Sequence, residues 1–163
     1  MTGPDRIGWA WAAIGRAVLM ATLAAGTLDI GAAILTNPQV PARVVLQSVA
    51  GGWLGSAAYQ GGWPLAWLGL ASHYGVMLGI AAAFVLAAAG VPALRRLWFP
   101  VGVVFGVAVW VAMTFVVVPL SASTLSPPDS VMAAVKPILI HILCVGLPIA
   151  WIARRVLGPP ASA

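Results

Sequence analysis

Four stretches of nearly unbroken apolar residues, about 9–35, 63–89, 97–122 and 130–153, are separated by short polar or proline-containing breaks. Each exceeds the roughly 20 residues that a helix needs to cross a ~30 Å hydrocarbon core, so the pattern predicts an all-α membrane protein built as a four-transmembrane-helix bundle. Arg16 and Asp29 interrupt the first stretch, Ser72 and His73 the second, and no charge interrupts the third. Ala17 to Leu28 has the look of a signal-peptide core. No small-x-small cleavage site precedes Asp29, so the segment is expected to stay as a span.

Between the first two spans the pattern changes. Asn37-Pro38 breaks the first helix and Pro41 suits a first helical position. Over 41–60, Val45-Leu46, Val49-Ala50, Trp53-Leu54 and Ala57-Ala58 alternate with Gln47-Ser48, Gly51-Gly52, Gly55-Ser56 and Tyr59-Gln60, which predicts an amphipathic helix ended by Gly61-Gly62. Its weaker face is small and uncharged, so an interfacial or re-entrant helix packed on the bundle is expected, not one bound to anionic headgroups. Gly90-Val91-Pro92 closes the second span, and Arg95 and Arg96 fall in a short loop. Pro119 removes one backbone hydrogen bond from the third span, and Pro127, Pro128 and Asp129 form the turn to the fourth. The tail 158–163 is expected to be disordered.

Composition agrees with a single integral membrane domain over 1–163: the chain is 62% hydrophobic and 7% charged, with a mean hydropathy of +1.04. The net charge of +5 does not indicate nucleic acid, because the basic residues sit at segment ends and not on one face. They indicate orientation instead. Arg6, Arg16, Arg95, Arg96, Arg154 and Arg155 fall on one side, with only Arg43 and Lys136 on the other, which puts both termini in the cytoplasm. Trp9, Trp11, Trp63, Trp67, Trp98 and Trp151 fall near the span ends, as an aromatic belt in the lipid bilayer would. The single Cys144 excludes an internal disulfide and has an ordinary explanation as a small apolar residue.

Few residues remain for chemistry. His141 stands with Cys144 inside the stretch PILIHILCVGLP, and His73 stands in the second span. Counted from the outer ends, His73 is about ten residues below Trp63 and His141 about eleven below Ser130, so both imidazoles are expected at ~15 Å depth. Asp29, about six residues below Leu35, is expected higher, at ~9 Å. On the first helix, Thr22, Asp29 and Thr36 share a face with Gly26 and Ala33, and that face is expected to look toward other helices. An intramembrane ionisable residue marks a functional-site hypothesis.

Three readings follow. Asp29, His73 and His141 form an outward-open site for proton, ion or small-ligand handling, aided by Pro148, which denies the Cys144 carbonyl its usual donor. Alternatively, His73 and His141 hold a b-type haem, or join Cys144 around a metal ion. As a third reading, the chain is a structural or accessory subunit, and each histidine fastens helices through Ser72 or a backbone carbonyl. A homo-oligomer or a membrane-complex partner fits the small bundle, which is short of room for a transport path of its own. Gly51/Gly55, Gly75/Gly79 and Gly102/Gly106 are small-xxx-small pairs, although 18 glycines produce a few such pairs by chance. No nucleophile elbow, H-E-x-x-H or Walker loop is present, so the reading leans away from an enzyme.

G-T-L-D at Gly26 to Asp29, V-L-Q-S-V-A at Val45 to Ala50, V-V-P-L-S at Val117 to Ser121 and V-G-L-P at Val145 to Pro148 resemble a group of small bacterial inner-membrane proteins with four hydrophobic spans. The resemblance covers roughly Gly26 to Arg155. It implies the membrane class and a bacterial inner (plasma) membrane, and it brings no established activity with it.

Overall fold

The computed structural model describes residues 4–158, with side chains from Trp11 onward; most of the tail expected to be disordered lies outside the described residues. The chain is 86% helix with no strands among the described residues. Its helices are α1 (Pro4–Leu35), α2 (Ala42–Leu54) continued by a 3-10 turn over Gly55–Tyr59, α3 (Gly62–Gly90), α4 (Pro92–Arg96), α5 (Trp98–Leu120) and α6 (Val131–Leu157). Four are long and apolar enough to cross a membrane: α1 from Trp11, α3, α5 and α6, at 25, 29, 23 and 27 residues.

Two local differences from the sequence reading have simple causes. Arg95 and Arg96 lie in the one-turn helix α4 instead of a loop, because Val91 is extended and Pro92 takes the first helical turn, where its missing N–H costs nothing. The helix predicted over 41–60 is α over Ala42–Leu54 and then tightens to 3-10 geometry at Gly55, whose φ is +57°. That left-handed conformation ends the α-helix early and favours glycine.

The prolines inside α5 and α6 are absorbed without breaking the helices. Pro119 and Pro148 have no N–H to offer the carbonyls of Phe115 and Cys144, four residues back. Both helices widen there into π geometry, over Met113–Val117 and His141–Gly146. Val118 N–H then bonds the Met113 carbonyl and Leu147 N–H the Ile142 carbonyl, each five residues back.

The core joins α1, α3, α5 and α6. Ala17, Ala21 and Ala25 of α1 are fully buried against a cluster that includes Ala81 and Val85 of α3 and Ile149 and Ala153 of α6. Phe84 of α3 meets Phe105 of α5 with ring centroids 4.8 Å apart. Such small residues matter because lipid tails are as apolar as leucine, so helices associate by how closely they pack.

The glycines show where packing is closest. A Cβ at Gly106 would come within 2.6 Å of the Ile142 Cα and 2.7 Å of the His141 carbonyl oxygen, and one at Gly146 would come within 2.8 Å of the Gly106 Cα. Gly102 and Gly106 therefore form a helix crossing with Gly146. Gly75 and Gly79, with the same spacing, have nothing within 4 Å. A second crossing joins α2 to α3, where a Cβ at Gly69 would overlap the Leu46 carbonyl.

Gly146→Val is expected to destabilise the bundle by at least ~1–3 kcal/mol through overpacking, whereas Gly79→Ala stays within ~1 kcal/mol of the parent. Urea unfolding in mixed micelles measures both, and equal stability of the two variants would contradict the assigned crossing.

Candidate functional site

His73 is a buried residue of α3, and its Nε2 lies 2.9 Å from the Gly26 carbonyl oxygen of α1. A carbonyl only accepts, so Nε2 carries the proton and donates. The next residue repeats the link. The Tyr74 hydroxyl lies 2.8 Å from Thr27 Oγ1, and either oxygen can donate. Gly26 is what permits this approach, since a Cβ there would come within 2.7 Å of the Tyr74 ring. Gly26-Thr27 and His73-Tyr74 thus make a two-bond clasp between α1 and α3.

His141 bonds its own helix. Its Nδ1 donates to the Pro137 carbonyl at 2.8 Å, one turn back. Its backbone carbonyl faces Gly106 of α5. The ring is partly buried.

Asp29 is also partly buried, and among the described residues its carboxylate makes no hydrogen bond and no ion pair. The rest of its predicted face turns gradually outward. Thr22 and Gly26 are buried, Thr36 is exposed, and both threonine hydroxyls bond the carbonyl one turn back in α1, at Val18 and Ala32.

These contacts set a register. α1 and α3 pair Gly26 with His73, and Lys136 of α6 meets Thr36 at the end of α1. His73, level with Gly26, is then ~4.5 Å inward of Asp29, which lies three residues further along α1. Among the described residues, no three of His, Cys, Asp and Glu are grouped so as to hold a metal ion.

Some polar contacts gave little sequence signal. Lys136 Nζ of α6 donates to the Thr36 carbonyl at 3.1 Å and to Asn37 Oδ1 at 3.0 Å, capping the C-terminal end of α1 with a cation. Gln47 is fully buried between α2 and α3, with Nε2 donating to the Gly62 carbonyl at 3.0 Å. The indole of Trp53 donates to Ser72 Oγ at 3.1 Å. Only the adjacency of G-T in one span and H-Y in another hinted at the clasp.

By length and composition, four such helices define a multi-pass membrane protein. Compared with known proteins, the chain matches no family model, no curated protein and no solved structure.

Thr27→Val and Tyr74→Phe are expected to be coupled. Intramembrane hydrogen bonds average ~0.6 kcal/mol and reach ~1.7 kcal/mol, so a double-mutant cycle in micelles should return a coupling within that range. Strict additivity would remove the Tyr74–Thr27 half of the clasp.

Proposed function

We propose that this chain is a non-enzymatic protein of a bacterial inner membrane, related to the four-span group it resembles, with both termini cytoplasmic and an intramembrane polar site that handles protons, ions or a small ligand. Asp29 is the centre of that site. What supports it is a partly buried carboxylate within an apolar span with no partner among the described residues, a costly arrangement that persists where the group has work to do. His73 stands on the neighbouring helix at the level of Gly26, and His141 stands on α6 bonded to its own helix. The π segment beginning at His141 adds to this, since such widened turns often occur at functional sites.

In this reading α2 is the interfacial element. It crosses α3 at Gly69, about 10 Å inward from Gly62, while the remaining 21 residues to Gly90 suffice for a ~30 Å core. Trp53, Trp63 and Trp67 are exposed around it, as interfacial tryptophans are.

A second reading, a structural or accessory subunit, is favoured by the α1–α3 clasp, in which His73 is already committed to the Gly26 carbonyl.

The two separate in liposomes. Wild type is expected to dissipate an imposed pH or cation gradient faster than protein-free vesicles, and Asp29→Asn to return the rate to that background. Equal flux in wild type and Asp29→Asn, or none in either, would favour the structural reading.

A further inference from the structure

At the end of the bundle opposite α2, Trp98, Trp151, Arg154, Arg155 and Gly158 line a cavity of about 500 Å³. The Arg154 guanidinium stands 5.8 Å over the Trp98 ring, and that of Arg155 stands 5.3 Å over Trp151. Stacking on the rings holds both cations at the mouth while leaving their N–H groups free to donate. Of the two carboxylates with described side chains, Asp29 lies within α1 and Asp129 in the turn before α6, at the other end. Arg95 adds to the positive end. Its Nη1 donates to the Leu157 carbonyl at 3.3 Å, beside Gly158, and its Nε is buried without a partner among the described residues.

The cavity is continued by a groove of about 390 Å³ that shares Trp98 and Trp151 and runs past Ala24, Leu28, Leu143 and Leu147. Every residue lining it is apolar apart from the tryptophan N–H groups. From Trp151 to Leu143 it follows eight residues of α6, ~12 Å, close to the ~15 Å of one leaflet's hydrocarbon. A cationic pocket at the surface that opens into an apolar channel one leaflet long has the dimensions of a single phospholipid.

We propose that this surface binds an anionic glycerophospholipid of the arginine-bearing leaflet, its phosphate between Arg154 and Arg155 and one acyl chain along the Leu28–Leu143 groove. The planar guanidinium groups suit a phosphodiester through paired N–H donors. The two ring-stacked guanidinium groups favour a headgroup of net negative charge over a zwitterionic one. The groove favours a lipid over free phosphate, which would use the pocket and leave the apolar walls uncovered. The inference is independent of Asp29 and stands on different residues.

Native mass spectrometry of the full chain released from micelles tests it, with phosphatidylglycerol, phosphatidylcholine and inorganic phosphate as probes. Phosphatidylglycerol is expected to be retained in preference to phosphatidylcholine, and Arg154→Gln with Arg155→Gln to weaken it roughly 10- to 30-fold. Arg154→Lys with Arg155→Lys keeps the charge, retains much of that preference, and serves as the folded control. Leu143→Trp, at an exposed position, should weaken long-chain phosphatidylglycerol but leave a short-chain form unaffected. Equal retention of the two lipids, a glutamine double variant that binds like wild type, or displacement of the lipid by inorganic phosphate would overturn the proposal.

Discussion

Helices in a bilayer gain almost nothing by exchanging lipid contact for helix contact, so this bundle depends on how closely its backbones approach. Each approach is made at a glycine. Gly26 admits the Tyr74 ring, Gly69 admits the Leu46 carbonyl, and Gly102, Gly106 and Gly146 bring α5 and α6 together. Dispersion energy falls steeply with separation, so a gap of half an ångström along such a seam forfeits a sizeable share of it. Buried alanines along α1 and α6 extend the same logic between the crossings.

Once the backbones are close, their carbonyls become the main acceptors for polar side chains. His73, His141, Thr22, Gln47 and Lys136 all end on backbone oxygens. This satisfies groups that lipid cannot, and it ties each polar side chain to the helix geometry nearby. Asp29 stands apart because a carboxylate needs donors, and helical N–H groups are already committed.

The fold was largely legible in the sequence. Apolar length gave four spans whose ends match within a few residues, and prolines marked where α5 and α6 depart from α geometry. Less legible was relative depth. Residue counting assumes that helices start at a common level, but only contacts such as His73 to Gly26 and Lys136 to Thr36 fix how far one helix slides along another. Glycine spacing was likewise ambiguous: Gly75/Gly79 and Gly102/Gly106 are the same motif in sequence, and only the second pair has a neighbour. Which face of a helix is turned inward depends on the other helices. The arginine and tryptophan pocket was out of reach for a similar reason, because Trp98 and Arg154 come from different helices.

The widened turn in α6 gives chain length an influence that composition does not have. A π turn holds about one residue more than an α turn, so the segments flanking His141–Gly146 are rotated by about 100° relative to an uninterrupted α-helix. Pro148 and the extra residue together decide which way Pro137 and Lys136 point when Arg154 and Arg155 point as they do. Shortening that segment by a single residue would turn one half of the helix away from its neighbours, uncoupling the Lys136 cap at one end from the arginine pair at the other. The aim of the two ends is thus set by a residue count.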